Sequence, residues 1–276
     1  MRRLAWLLIW LALAQIPAQA QHAQALDALH SRGKMLGWEA VGRLDMPGGF
    51  CTGTLISSDL VLTAAHCVVD PEAGSKRDPD AMVFRVGYAN GREIALRKVV
   101  EIAIAEGFAQ AAGQRISGDM MGRDVALLRL DARLTSLEAD PFQLHGFPDQ
   151  GDRVSVVSYG QGRSESLSYE DECAVTGRFA GGVMAFDCNV TFGSSGAPVF
   201  AREDTSNRMR ILSLISAGHQ SANGRSVAFG PELPELVETL KRSLRHRSAP
   251  VPVTKGAKRV TVGQRNPGFG ARFVRP

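Results

Sequence analysis

Short apolar segments separated by turn residues run along the chain from Trp38 onward. Several of them alternate apolar with polar positions, which is the pattern of antiparallel strands that are buried on one face. Turn-forming pairs such as Asn90-Gly91 and Asn223-Gly224 lie between them. The pattern predicts an all-β fold, with strands over residues 53–56, 83–86, 125–128, 153–157 and 211–215.

One helix is predicted after the last of these strands. Pro234 suits the first turn of a helix, and the apolar residues that follow it recur on one face: Leu236, Val237, Leu240 and Leu244. We expect that face to pack on the β body. The polar stretch 134–151 is the best candidate for a boundary between two β halves.

The N-terminus has the pattern of an export signal. Arg2 and Arg3 precede an apolar run over residues 4–14, and Ala18-Gln19-Ala20 supplies a small-x-small cleavage site. The apolar run is much shorter than the ~20 residues that span a bilayer. We therefore predict a signal peptide over residues 1–20, an N-terminal extension over 21–37, and a secreted or periplasmic protein.

Export affects how the four cysteines are interpreted. An even number of cysteines in an oxidising compartment favours two disulfides over free thiols or metal ligands. Three pairings are possible in principle, and pairing by proximity joins Cys51 to Cys67 and Cys173 to Cys188. No CxxC or HxxxH spacing occurs, so we expect no metal site, and no cofactor motif is present.

The composition shifts after the predicted helix. Residues 241–276 contain ten Lys or Arg and no Asp or Glu, together with several prolines and glycines. This predicts a basic, disordered tail over residues 247–276. Two interpretations of the tail stay open: contact with an anionic surface, and a solvated extension without a partner. No specific nucleic-acid partner is indicated, and we expect a monomer.

Three separated segments together predict acyl-transfer chemistry. Ser195 lies between Gly193 and Gly196, so it can occupy a tight turn in which backbone N–H groups converge. Hydrolysis of an amide needs such a hydroxyl, a base to activate it, and an acid to orient that base. His66 is the candidate base and Asp124 the candidate orienting residue. The N–H groups of Gly193 and Ser195 are the candidate oxyanion hole.

These segments resemble the motifs of the trypsin/chymotrypsin-like serine endopeptidases. Residues 63–67 read Thr-Ala-Ala-His-Cys, residues 124–128 read Asp-Val-Ala-Leu-Leu, and residues 193–198 read Gly-Ser-Ser-Gly-Ala-Pro. The order His, Asp, Ser is also that of chymotrypsin. The resemblance implies two six-stranded antiparallel β-barrels with a C-terminal helix over residues 38–246. It also implies a cleft between the barrels that binds protein or peptide substrates.

The serine motif departs from the family's Gly-Asp-Ser-Gly-Gly-Pro at two positions, Ser194 and Ala197. Trypsins have an aspartate before the nucleophile, which pairs with an N-terminus released by cleavage, whereas this chain has the uncharged Ser194 and no Ile-Val-Gly-Gly near its mature start. The chain is similar in this respect to the bacterial secreted branch, whose glutamyl endopeptidases also lack that aspartate. We therefore expect no trypsin-style activation by cleavage.

The resemblance also assigns a specificity pocket. Asn189 is expected at its floor, and the backbone of Ser216, Ala217 and Gly218 is expected to form a wall that pairs with the substrate. Without a pocket aspartate we expect no preference for Arg or Lys at P1, the substrate residue before the cleaved bond. For His219, two interpretations stay open: reception of an acidic P1 side chain, and simple exposure.

Two other functions compete with an active peptidase. A catalytically silent relative could bind proteins through the same cleft, although such proteins usually lose a triad member or an oxyanion glycine, and all are present here. An esterase of the α/β-hydrolase type requires the order Ser, Asp, His, which is the reverse of the order in this chain. The sequence therefore favours a serine endopeptidase.

Overall fold

The computed structural model describes residues 26–29, 31–145, 151–203, 208–220 and 226–247. The predicted signal peptide and most of the predicted basic tail lie outside these residues. None of the helices in the described ranges is long and apolar enough to cross a membrane.

The first half of the fold is a closed antiparallel barrel. Its hydrogen-bonded order is β2-β3-β4-β7-β6-β5. The strands are β2 (Val41–Met46), β3 (Gly49–Ser57), β4 (Leu60–Thr63), β5 (Val83–Val86), β6 (Ala95–Ile104) and β7 (Ala126–Leu130). Leu44, Leu55 and Phe84 are among the fully buried side chains inside it. The predicted strands at 53–56, 83–86 and 125–128 fall in β3, β5 and β7, except that Val125 precedes β7.

The second half is an antiparallel sheet that begins at Arg153. Its strands are β8 (Arg153–Ser158), β9 (Ser168–Phe179), β10 (Val183–Phe186), β11 (Pro198–Arg202), β12 (Met209–Leu214), β13 (Ala217–Gln220) and β14 (Ser226–Pro231). Within the described residues their order is β12-β11-β8-β9-β10-β14-β13. The chain leaves the sheet at Ile215 and Ser216 and re-enters it beside β14, which leaves β13 with an open edge.

The segment predicted as an N-terminal extension contributes to this sheet. A two-residue strand, β1 (Asp27–Ala28), pairs with β9. It is followed by one helical turn, α1 (Arg32–Met35). With β1 the second sheet has eight strands. The mostly β architecture with a C-terminal helix confirms the predicted fold class, while hydrogen bonding closes only the first barrel among the described residues.

Aromatic packing joins the two halves. The Trp38 ring lies 5.2 Å from the Tyr169 ring, 5.4 Å from the Phe200 ring and 5.9 Å from the Phe142 ring, measured between centroids. Tyr169 and Phe200 belong to β9 and β11 of the second sheet. Because Trp38 directly precedes the first barrel, this cluster fixes how the two halves meet.

The C-terminal helix α3 (Pro234–Arg247) closes the fold. Pro234 opens it, as predicted, and Val237, Leu240 and Leu244 are buried in the same core cluster as the first barrel. The helix contacts β6 and β7. The prediction that its apolar face packs on the β body is confirmed.

Candidate active site

His66 lies just beyond the end of β4. After Thr63 the chain enters a 3-10 turn at Ala65–Val68, which contains the histidine. The predicted disulfide between Cys51 and Cys67 is present and ties this turn to β3. Neighbouring Ala65 and Cys67 are buried, while the His66 side chain keeps 19% of its surface exposed. The ring is therefore held by buried neighbours but open on one side.

Asp124 is placed by a short helix, α2 (Gly118–Met121), and lies directly before Val125 and β7. Its side chain is fully buried. Asp124 Oδ2 lies 2.7 Å from His66 Nδ1, and Asp124 Oδ1 accepts the backbone N–H of His66 at 2.8 Å. The Ser216 hydroxyl donates to Oδ2 at 2.5 Å. Three donors thus surround a buried carboxylate and compensate for its lost hydration.

This arrangement sets the tautomer and the basicity of His66. A hydrogen on Nδ1, donated to Asp124, leaves the lone pair on Nε2. Burial lowers the pKa of His66, while the charge of Asp124 and its hydrogen bond raise it by more, so the net shift is upward from 6.5. The neutral ring is therefore a stronger base than an ordinary histidine.

The Ser195 loop is pressed against the end of β4. The carbonyl of Ser195 accepts the N–H of Thr52 at 2.9 Å. Gly196 has φ +75°, and a Cβ there would overlap Thr63 Oγ1 and the Thr52 carbonyl oxygen. Only glycine allows this approach, which brings the serine beside the segment that leads into His66. Among the hydrogen bonds of the described residues, none joins the Ser195 hydroxyl to the His66 ring, and His66 Nε2 lies 3.9 Å from Cys67 Sγ.

The two predicted oxyanion-hole N–H groups differ from three of their neighbours in this loop. The N–H groups of Ser194, Gly196 and Ala197 donate to backbone carbonyls, whereas those of Gly193 and Ser195 have no acceptor among the described residues. The Phe192 carbonyl accepts the Gln161 N–H at 2.7 Å. Because the C=O and N–H of a trans peptide point in opposite directions, this bond aims the Gly193 N–H away from Gln161.

Gly193 itself has φ +89°, and a Cβ there would overlap the Phe50 ring. A side chain at this position would be strained by its backbone conformation and would also displace Phe50. The glycine is therefore required for the loop shape that presents these two donors.

The residues of the predicted specificity pocket lie together at the open edge of the second sheet. Asn189 donates its backbone N–H to Glu170 Oε2 at 2.9 Å, and its side-chain oxygen lies 3.5 Å from the Ser226 hydroxyl. A Cβ on Gly218 would overlap the Val190 side chain, so Val190 packs directly against this wall. In the part of the chain that the structure describes, Ala217 and Gly218 pair with β14 and with no second strand. The free side of β13 is an edge to which an extended peptide can add a strand.

Comparison with known proteins identifies the family. A family model described as a trypsin-like peptidase domain matches residues 51–206. This range contains His66, Asp124 and Ser195 and covers more than half of the chain. The chain belongs to the trypsin-like peptidase family.

A solved structure shares the fold of this trypsin-like peptidase chain. It is described as the structure of Glu endopeptidase in complex with MPD, and it matches with a TM-score of 0.60 at 18% identity. The match covers 75% of this chain and 90% of the other chain. None of the curated proteins compared with the chain matches it significantly.

Two groups at the site of this trypsin-like peptidase have roles that the sequence did not predict. Ser216 was predicted only as a backbone wall, yet its hydroxyl is one of the three donors to Asp124. Glu170 was not predicted at all, because it lies among other acidic residues and carries no local signal. It is buried beneath Asn189, and its Oε1 has no hydrogen-bond partner among the described residues.

One cluster near the site has the residue types of a metal centre. Potential ligand atoms of Cys51, His66 and Cys67 lie within 4.8 Å of one another. The two sulfurs are bonded to each other as a disulfide, so neither can act as a thiolate ligand. The cluster is therefore explained by the disulfide beside His66.

Proposed function

We propose that this protein is a secreted serine endopeptidase with Ser195 as nucleophile, His66 as general base and Asp124 as the orienting acid. The observation that carries the proposal is that a histidine–aspartate pair and a loop with unpaired N–H groups lie side by side. Asp124 holds His66 through its Nδ1 and backbone N–H groups, and the adjacent Ser195 loop presents two unpaired N–H groups.

The chemistry follows from these contacts. His66 Nε2 takes the proton of the Ser195 hydroxyl as that oxygen attacks the scissile carbonyl, and the N–H groups of Gly193 and Ser195 bind the developing oxyanion. Protonated His66, stabilised by Asp124, then gives its proton to the leaving amine, which produces an acyl-enzyme. Water, activated by the same imidazole, hydrolyses that ester and regenerates the serine.

The competing function is a catalytically silent protein that binds other proteins through the same cleft. The observation in its favour is the missing hydrogen bond between the Ser195 hydroxyl and His66. Such bonds are often long without substrate and shorten in the Michaelis complex, so the intact Asp124–His66 pair weighs more.

A fluorophosphonate probe tests the proposal, because it labels only an activated serine. We expect the native mature protein to be labelled and to cleave members of a peptide library, and we expect the heat-denatured protein to remain unlabelled. A native protein that is neither labelled nor active on the library would support the binding function instead.

We also propose export to an oxidising compartment by the signal peptide of residues 1–20. The disulfides Cys51–Cys67 and Cys173–Cys188 support this proposal, since disulfides persist outside the reducing cytosol. The partners proposed are protein or peptide substrates.

Activity is expected to fall in acid as His66 becomes protonated. The base must be neutral to accept the Ser195 proton, and its pKa is raised, so the acid limb of kcat/KM should have its midpoint above the ordinary value of about 6.5. Steady-state kinetics from pH 4 to 9 measure this, with circular dichroism to confirm folding. A rate that stays constant down to about pH 4 would exclude a histidine base.

Glu170 requires a control in this experiment. Burial raises its pKa to about 7, against the lowering effects of the Asn189 N–H and the Arg163 charge, so its titration overlaps that of His66. Glu170→Gln removes that titration and leaves the His66 contacts intact. We expect the acid limb to persist in this variant. Its loss would assign the limb to Glu170.

The P1 preference is expected to be for small, uncharged side chains. Val190 packs against Gly218 at the wall of the predicted pocket, so we expect the pocket to be narrow. Asn189 has no charge to compensate for the desolvation of an entering cation, which costs several kcal/mol. Library profiling measures this, and Val190→Gly should shift the preference toward larger apolar residues. A tenfold preference for Arg or Lys, about 1.4 kcal/mol, would contradict the prediction.

An acidic P1 residue is the other outcome that the comparisons suggest, since the structure with the similar fold is named a Glu endopeptidase. In this protein His219 is exposed and its ring stacks on Phe229 at 6.2 Å between centroids. A strong preference for Glu that is lost in His219→Ala would show that His219 binds the substrate carboxylate.

A further inference from the structure

Arg163 lies in the turn that follows β8, against the loop of residues 191–197 that carries Ser195, here called the oxyanion loop. Its N–H donates to the Gly160 carbonyl at 2.9 Å, and Gly162 between them has φ +81°. A Cβ on Gly160 would lie 2.9 Å from Arg163 Cζ and 2.8 Å from Thr191 Cγ2. The guanidinium therefore folds back over Gly160 and reaches the oxyanion loop. A larger residue at position 160 would leave no room for it.

The guanidinium is hydrogen-bonded to the residue before Ser195. Arg163 Nη2 donates to the Ser194 hydroxyl at 3.2 Å and to the Ser158 hydroxyl at 3.1 Å, and Nη1 donates to the Ser158 carbonyl at 2.9 Å. Ser194 is fully buried, and its hydroxyl also accepts the Thr191 N–H at 3.3 Å. The Ser194 hydroxyl is thus held by the Arg163 side chain from the turn after β8 and by the Thr191 backbone N–H from its own loop.

The same turn fixes the other end of the oxyanion loop. Gln161 lies between Gly160 and Arg163, and its N–H holds the Phe192 carbonyl at 2.7 Å. The Gly193 N–H lies between these two anchors, at Phe192 and at Ser194. Movement of either anchor would rotate a peptide that carries an oxyanion donor.

The charge of Arg163 is only partly compensated. Burial lowers the pKa of Arg163 and the charge of Glu170 raises it, with a net lowering from 12.5. A guanidinium keeps its positive charge in proteins. Glu170 in turn accepts the Asn189 N–H. A half-buried cation and a buried carboxyl therefore lie behind the oxyanion loop and the predicted pocket floor.

We propose that Arg163 is a positioning residue that keeps the oxyanion loop in its active shape, so that the protein is competent without cleavage of its N-terminus. The proposal rests on the proposed peptidase function. It gives the uncharged Ser194 a role, because a neutral hydroxyl can accept from an internal guanidinium, whereas it cannot neutralise a buried N-terminal ammonium.

Substitution of Arg163 tests this proposal. In Arg163→Ala we expect kcat to fall about 100-fold with KM little changed, because the oxyanion donors act mainly in the transition state. Guanidinium ion at millimolar concentration should restore part of kcat by occupying the vacated space. The matched control is Arg92→Met, which removes an exposed arginine outside the site and should keep wild-type kinetics.

Several outcomes would overturn the proposal. A folded Arg163→Ala protein with wild-type kcat and labelling rate would do so, as would a loss that guanidinium does not restore or that appears only in KM. If Arg163→Ala does not fold, Ser194→Ala decides: a fall of about tenfold in kcat supports the proposal, and an unchanged kcat refutes it.

The N-terminus supplies an independent measurement. A recombinant protein with a tag before Gln21 should have the same kcat as the mature form, because the anchor lies within the chain. Activity that appears only after a specific N-terminal cut would contradict this. An unlabelled wild type would refute the peptidase function itself, whereas a labelled wild type with an equally labelled Arg163→Ala refutes only the role of Arg163.

Discussion

Ser195→Ala is expected to lower kcat by roughly 10⁶-fold and to abolish labelling by a fluorophosphonate. In the proposed mechanism the Ser195 hydroxyl forms the acyl-enzyme, so its loss removes the function of the base as well. Active-site titration and steady-state kinetics on a cleaved library peptide measure the effect. Ser58→Ala, in the turn between β3 and β4, is the matched control and should behave as wild type.

The substituted protein should remain folded. Ser195 contributes its backbone carbonyl to the Thr52 N–H, and its hydroxyl has no hydrogen bond among the described residues. Removing the hydroxyl therefore leaves no buried partner unsatisfied, and the unfolding midpoint should change little. Full activity or unchanged labelling in this variant would mean that another residue is the nucleophile.

Asp124→Asn is expected to lower kcat about 10⁴-fold, the scale found when a triad aspartate is replaced by its amide. Each of the three groups around the carboxylate donates a hydrogen bond: the His66 ring, the His66 backbone and the Ser216 hydroxyl. An amide NH₂ must face at least one of them. If it faces the ring, His66 must carry its hydrogen on Nε2 and cannot accept the Ser195 proton.

Ser216→Ala separates this tautomer effect from simple loss of a hydrogen bond. It removes one donor from Asp124 and leaves the contact between the carboxylate and His66 Nδ1 in place. We expect a much smaller loss of kcat than in Asp124→Asn, together with a loss of stability of about 1 kcal/mol. Equal losses of kcat in the two variants would mean that loss of a hydrogen bond to Asp124, rather than the tautomer of the imidazole, explains the effect of Asp124→Asn.

The sequence specified the parts of the fold that depend on local chemistry. Gly193 and Gly196 both have positive φ, as their places around a tight turn predicted. Both disulfides join the cysteines nearest to each other in sequence, 16 and 15 residues apart. Helix α3 begins at Pro234, where the first-turn preference of proline predicted it. Each of these features depends on neighbours within a few residues or on a short loop, so the sequence alone carries the signal.

Strand β9 shows where the local signal failed. The acidic run Glu170, Asp171 and Glu172 lies near its start, and acidic residues are depleted in strands. The segment is nevertheless a strand of twelve residues, because β8 and β10 hydrogen-bond to its two edges. One face of β9 also packs in the hydrophobic core of the second sheet, where Cys173 and Val175 are buried. β8 and β10 are the neighbours of β9 along the chain, but the residues of the acidic run do not themselves encode this pairing.

What the sequence determined about this protein is its family, its strand-rich architecture and the residue types of its candidate active site. Only the tertiary structure shows which other side chains support the candidate active-site residues. Ser216 reaches Asp124 across 92 positions, and Arg163 reaches Ser194 across 31. The physical reason is that a hydrogen bond in a packed interior depends on the relative placement of strands from both halves, and a residue's immediate neighbours do not encode that placement.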